Sequence, residues 1–281
     1  KGSTKFAFIA GCGAYQRKFD PLEAAVNDVV AMHAKCQENG FDVHSCSDVS
    51  HDGFQENLKH ATLRVNKDTK IVIFHWSGHA TSEHGRPVLH PLLGGSIDLA
   101  ELLQQLSQKA SPEAATIAIL DCCRDEQEGL KTAVDKSIMP AFTPEVRTPG
   151  LRGKLCRYRQ LFYIQACAPG CHATEERGTN SHGHLTKAVL EHLFKDESLA
   201  DVLKRVKKQV LNDTSNRQDA WISDNCCGFL NTWGNPLLYP ECCFKLARAA
   251  SDELNRVQKS HDEEMKELEN KHKAELNRVQ K

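Results

Sequence analysis

The side chains able to do covalent chemistry gather in two short stretches. One holds Trp76, Ser77, Gly78 and His79; the other holds Asp121, Cys122, Cys123 and Arg124. A thiol at its ordinary pKa of about 8.5 is mostly protonated at neutral pH, so a nucleophilic cysteine needs an adjacent imidazole to hold or generate thiolate. Such a pair attacks carbonyl carbon, and backbone N–H groups must then hold the oxyanion that develops. Gly78 lets the backbone approach closely, so its N–H and that of the nucleophile are the expected donors.

Two loops meet only if the elements before them lie side by side. The strands over 70–75 and 116–120 contain short apolar runs without polar alternation, at 71–74 and 117–120, the pattern of strands buried on both faces. His79 and Cys123 both fall past the carboxyl ends of these runs, where open parallel sheets keep their chemistry. A first strand over 5–10 ends at Gly11, Cys12 and Gly13, and Pro21 opens a helix over 22–38 that Asn39 and Gly40 stop. A strand over 41–46, a helix over 50–65, a loop over 76–95 and a short helix over 98–107 follow. Residues 126–159 are polar, proline-bearing and without period, too long for an ordinary connector. Beyond them come a strand over 160–167, helices over 184–195 and 198–211, and an irregular stretch over 219–240 with a last strand near 236–239. Strands alternating with helices predict an α/β fold, a mainly parallel sheet flanked by helices.

Composition narrows the partners. A chain of 281 residues, 40% hydrophobic, can bury the core of one α/β domain with an appendage. Its formal net charge of -1 provides no field for nucleic acid or an anionic membrane. No run reaches the roughly 20 apolar residues of a membrane span, and no signal peptide is visible. The chain starts at Lys1 without a methionine, the pattern of a processed fragment. Twelve cysteines, with vicinal pairs at Cys122-Cys123, Cys226-Cys227 and Cys242-Cys243, do not form a stapled scaffold. They predict reduced thiols and a cytoplasmic setting. Adjacent cysteines converge poorly on one tetrahedral ion, so no metal site is expected. Residues 247–281 contain no Gly, Pro or aromatic residue, and their apolar stripe steps by three, four and four. This eleven-residue period predicts a helical coiled-coil arm; a homo-oligomer is expected, through that arm or through the edge of the chain's later half.

Ser77-Gly78-His79 and Asp121-Cys122-Cys123, in this order and at the ends of consecutive strands, resemble the S-G-H and D-x-C motifs of caspase-fold cysteine peptidases. That family includes caspases, metacaspases and paracaspases, and the resemblance covers about residues 5–240. In caspases the histidine stands roughly 50 residues before the cysteine; here His79 precedes Cys123 by 44. The resemblance implies a caspase-like three-layer sandwich over 1–246: a large-subunit-like part to 125, an intersubunit loop over 126–159 and a small-subunit-like part over 160–246. The coiled-coil arm over 247–281 follows. It further implies His79 as catalytic histidine, Cys123 as nucleophile and Gly78 as oxyanion donor. Cys122, pointing to the opposite side of the strand end, is expected to pack in the core. His75 is expected to be a hydrogen-bonded core histidine. Cys167, in a Gln165-Ala166-Cys167 run that mimics the caspase nucleophile motif, is expected to be a decoy on a pocket wall.

The same resemblance points to a basic P1 residue, the one N-terminal to the cleaved bond. Caspases hold aspartate with arginines, whereas metacaspases and paracaspases place acids there, and Asp28 and Asp121 match those acids. Ala166 and Trp221 are the other expected substrate contacts. Paracaspases carry a further glutamate where this chain has His172, with Glu175 and Glu176 nearby but out of register. Arg124 after the nucleophile favours the paracaspase-like branch. The expected activity is an endopeptidase cleaving after Arg or Lys. It would be able to cut itself in 126–159, where Lys131, Lys136, Arg147, Arg152, Lys154, Arg157 and Arg159 are available. The alternative is an inactive caspase-fold scaffold that binds peptide and oligomerises through its tail. No cofactor is implied; calcium, which some metacaspases require, is left open, since Asp42, Asp48 and Asp52 lack the spacing of a calcium loop.

Overall fold

A computed structural model describes residues 3–16, 19–83, 86–123, 125–126, 161–167, 172–176, 178, 180–224, 256 and 266. Six strands form one sheet: β1 (Lys5–Gly11), β2 (Asp42–Ser47), β3 (Ile71–Ser77), β7 (Ala115–Asp121), β9 (Leu161–Gln165) and β10 (Trp221–Asp224), in the order β10-β9-β7-β3-β1-β2. All neighbours are parallel except β10, which runs antiparallel to β9 at the edge. Every residue of β3 and β7 is buried, as expected of strands covered on both faces.

Alternation along the strands divides the core in two. Ala7, Ile9, Ile71, Ile73, Ile117 and Ile119 face α1 (Ala24–Glu38), α4 (His184–His192) and α5 (Leu199–Asp213). Phe6, Phe8, Val72, Phe74, Ala118 and Leu120 face α2 (His51–Arg64) and α3 (Leu99–Ser107). The result is the expected three-layer α/β sandwich. Helix starts follow local chemistry: Ser50 Oγ accepts from Gly53 N–H, Asp98 Oδ1 from Ala100 and Glu101 N–H, and Ser198 Oγ from Asp201 N–H. Among the described residues no helix is long and apolar enough to cross a membrane.

Two stretches depart from the expectation. The loop over 76–95 contains a hairpin of β4 (Ala80–Glu83) and β5 (Arg86–Leu89), which joins β6 (Ile97–Asp98) and β8 (Asp125–Glu126) in a second sheet ordered β6-β5-β4-β8. The stretch after 219 contains β10. Strands of four residues or fewer carry too few alternations to stand out in sequence, and backbone pairing decides them. The connection over 127–160, the strand near 236–239 and the cysteines from Cys226 onward lie outside the described residues. So does the arm, apart from Arg256 and Lys266, which are helical and exposed.

Phe74 is wholly buried and meets the Phe8 ring at 5.8 Å between centroids. Phe74→Ala is expected to lower stability by about 3–5 kcal/mol, read as a reduced urea midpoint at unchanged slope.

Candidate active site

Strand register brings the two motifs together. Ser77 pairs with Asp121, the last rungs of β3 and β7. His79 and Cys123 each lie two residues beyond that rung, so one sheet edge carries both. The Gly78 N–H donates to the Asp121 carbonyl at 3.3 Å. That corrects the expectation for Gly78: its amide extends the ladder instead of facing a substrate oxygen. Gly78 is required for another reason. Its φ is 158°, and a Cβ there would press on the Trp76 ring at 2.9 Å and the Tyr15 hydroxyl at 3.1 Å. The His90 N–H donates to the His79 carbonyl, in register with the Ala80–Leu89 pair. The Ala80 amide therefore turns away from β5, to the side of β4 on which β8 pairs.

The His79 ring is held by the loop after β1, which the sequence did not single out. Phe19 stacks on one face at 4.6 Å and 17°, and Tyr15 meets the ring edge-on at 4.8 Å. His79 Nε2 lies 2.9 Å from the Asp20 carbonyl. A carbonyl only accepts, so Nε2 carries the proton and Nδ1 keeps its lone pair for a thiol. Asp48, at a left-handed φ of 52°, fixes this loop: its Oδ1 accepts from Gly13 N–H (2.7 Å) and Ala14 N–H (3.0 Å). Tyr15 Oη donates to the His90 carbonyl and accepts from His79 N–H.

Cys123 is half-buried, and its Sγ lies 3.3 Å from the Ala173 N–H, which donates to it, and 3.5 Å from the Ala173 carbonyl. Cys122 is buried in the core on the α2/α3 side. Cys167 is also buried, its Sγ 3.7 Å from the Cys122 carbonyl. Burial pushes the thiols of Cys12, Cys36 and Cys46 up to about 11, 12 and 12, the condition of packing cysteines. His75 is buried, bonded through Nε2 to Thr186 Oγ1 at 3.0 Å, and pushed down to about 3 by burial, so it stays neutral.

The two acids converge on the start of α4. Asp121 Oδ2 accepts from Thr186 N–H at 2.7 Å, within the first turn, where a carboxylate completes unpaired helix amides. Asp28 on α1 accepts from Ser77 Oγ at 2.7 Å and from Gly183 N–H at 3.3 Å to each oxygen, and faces His182 Nδ1 at 2.8 Å. Gly183 is a wedge between them, since a Cβ there would run into the Asp121 carboxylate. Burial first, and then the charge of Asp28, pushes Asp121 up to about 7; burial raises Asp28 also. Asp28 has no exposed surface and Asp121 is 7% exposed. Any cation reaching the pair must therefore approach past Asp121 or past His182.

The remaining expected contacts are placed as follows. Ala166 is fully buried and packs into the α1/α4/α5 core, which leaves only its backbone for a substrate. Trp221, half-buried on β10, pairs with Gln165 at the sheet edge. Glu175 caps α1, accepting from Glu23 and Ala24 N–H, and its charge adds to the upward push on Asp121. Of the acids weighed for calcium, Asp42 pairs with Arg64, Asp48 holds the loop and Asp52 abuts His51. Among the described residues no group of three or more His, Cys, Asp or Glu could hold a metal ion.

Comparison with known proteins agrees with the fold. The family described as caspase domain, peptidase family C14, matches residues 4–228. The chain belongs to the caspase-domain family. Among solved structures it is similar to caspase-1 from Spodoptera frugiperda, with a TM-score of 0.54 at 12% identity, covering 79% of this chain and 87% of that one. It is also similar to a protein from Geobacter sulfurreducens, with a TM-score of 0.53 at 14% identity, covering 79% and 93%. These two likenesses are of fold. No match was found among curated proteins.

In this caspase-domain chain the raised acid makes stability depend on pH. Native Asp121 holds its proton up to about pH 7, whereas an unfolded aspartate releases it near 3.9. Between those values the native state binds more protons, so stability falls as pH rises. The urea midpoint is expected to be higher at pH 5 than at pH 8, with the difference much reduced in Asp121→Asn, which keeps an oxygen for Thr186.

Proposed function

We propose that the chain is a cysteine endopeptidase cleaving after Arg or Lys, with Cys123 as nucleophile and His79 as its base and acid. The observation that carries this is the pair of buried acids, Asp28 and Asp121, built into the strand end from which Cys123 emerges. A buried carboxylate pair with raised pKa values lacks positive charge, and a guanidinium or ammonium supplies it through charge-assisted hydrogen bonds. Membership of a cysteine-peptidase family supports the reaction class; the acids support the P1 preference.

The chemistry follows from the fixed tautomer. Nδ1 of His79 takes the thiol proton as Sγ bonds to the scissile carbonyl carbon, and the oxygen becomes an oxyanion. The amide of Ala80, with that of Cys123, replaces Gly78 as the donor pair for this oxygen. The imidazolium, oriented by the Asp20 carbonyl and the Phe19 face, then protonates the leaving amine, and water attacks the thioester with His79 again as base. Before substrate binds, the Cys123 sulphur is held against the backbone of Ala173, between its N–H and its carbonyl. The basic residues of 126–159 make that connection a substrate of the same activity.

Cys123→Ala is expected to abolish hydrolysis of short arginyl and lysyl reporter peptides and any cleavage within 126–159; retained turnover would remove Cys123 from the reaction. Asp121→Asn is expected to lower the ratio of kcat/KM for arginyl over leucyl reporters by about 10- to 100-fold, the loss of a charge-assisted hydrogen bond of about 1.5–3 kcal/mol. An unchanged ratio would overturn the acid pocket.

A further inference from the structure

His182 belongs to none of the roles above, yet it is the ring closest to the acids. Its Nδ1 lies 2.8 Å from Asp28 Oδ1, and its side chain is 24% exposed while that of Asp28 is 0% exposed. The ring is thus the solvent-facing end of an otherwise enclosed carboxylate. Its position is fixed by three hydrogen bonds: Asn27 Nδ2 on α1 donates to the Ser181 carbonyl, Glu176 N–H donates to the His182 carbonyl, and Gly183 N–H donates to Asp28 on α1. We propose that His182 is a specificity-determining residue: as imidazolium it is the resting counter-ion of the Asp28–Asp121 pair, and it competes with the substrate's P1 cation for that charge. The proposal rests on the basic-P1 reading above and deepens it.

The charged groups facing the ring favour its protonated form in the empty enzyme. Asp28 on α1 contributes most through its hydrogen bond, Glu176 on the preceding loop adds its charge, and Asp121 on β7 adds its own once it has lost its proton. Lys187 on α4 is taken up by Glu176 at 2.5 Å and by Asp213 at 3.6 Å. His184, beside it in sequence, is held low by burial. His182 is correspondingly raised. Binding an arginine beside the acids places a second cation in the same field, so His182 must lose its proton or leave Asp28. By reciprocity, a proton on His182 weakens the arginine and the arginine weakens the proton to the same degree. A lysine or arginine at position 182 would fill the pocket permanently. A histidine empties it as pH rises through its own raised pKa, and selectivity for basic P1 residues then increases.

The test uses the full chain with histidine ring carbons labelled with carbon-13, and follows His182 by NMR as pH is varied, its signal assigned by its loss in His182→Asn or His182→Gln. The midpoint is expected to fall by about one pH unit on saturation with a peptide aldehyde ending in arginine, and to move much less with one ending in norleucine, a coupling of about tenfold. Equal shifts with both ligands would overturn the proposal. In parallel, His182→Asn is expected to raise the arginyl-over-leucyl ratio of kcat/KM at pH 6 by about tenfold while changing it less than threefold at pH 8.5, with the effect in KM and not kcat. A ratio moved equally at both pH values, or a change in kcat alone, would reduce His182 to a structural role. A wild-type enzyme with no preference for arginyl reporters at any pH overturns the basic-P1 reading itself. A clear preference with an unresponsive His182 overturns only this inference.

Discussion

Two aspartates buried within reach of each other's charge are the constraint on which the rest of this structure depends. Removing a carboxylate from water costs several kcal/mol unless hydrogen bonds replace its hydration. Asp28 and Asp121 recover that cost from Ser77 on β3, from Gly183 and Thr186 at the start of α4, and from His182. Those partners come from two parts of the chain, the end of β3 and residues 182–186, and the acids from two more, so satisfying them also docks α1 and α4 against the ends of β3 and β7. The absence of a side chain at Gly183 is what lets the start of α4 come between the two carboxylates. The same rung, Ser77 beside Asp121, then sets how far His79 and Cys123 project.

Sheet register fixes where the two backbones emerge; it does not fix a ring. Orientation of His79 falls to the loop after β1, itself held by Asp48 across from β2. Stacking on Phe19 restrains the ring plane, and the Asp20 carbonyl chooses the nitrogen that carries the proton. Precision of this kind, with strands setting backbone and a loop setting tautomer, is what nucleophilic catalysis by a dyad needs.

The sequence was legible where local physics decides. Residues 116–120 read as a doubly buried strand because Ile117 to Leu120 carry no polar side chain, and β7 is buried along its whole length. Cys122 and His75 read as core residues, and both are buried. Legibility failed where pairing is decided at a distance. Thr81 and Val88 carry no period that announces β4 and β5, and the hairpin forms because backbones find each other. Phe19 and Asp20 looked like an unremarkable turn, since their importance lies in a histidine some 60 positions onward. Glu175 sits out of register with the paracaspase glutamate, and its carboxylate is engaged as a helix cap. Gly78 matched a motif but not the role attached to it, because the next rung of a parallel ladder claimed its amide.

His182 was the least legible of all, 154 residues from its partner and set in a polar turn that suggests solvent. Its place follows from the acids. If the two acids form the proposed P1 pocket, then without a bound cation they are a buried negative pair, and beyond their hydrogen bonds the fold has two remedies. It can protonate the acids, and the raised position of Asp121 is the first remedy at work. It can also bring a cation of its own, and the ring on Asp28 is the second. On the proposed reading either remedy must be undone for an arginine to bind, so the strength of such a pocket and its resting neutrality are set against each other. A fixed cation would fill the proposed pocket permanently, and with no cation burial alone would push both acids toward their protonated forms. An imidazole, whose proton is held only moderately, is the side chain that can neutralise Asp28 at rest and, on the proposed reading, still yield to a guanidinium.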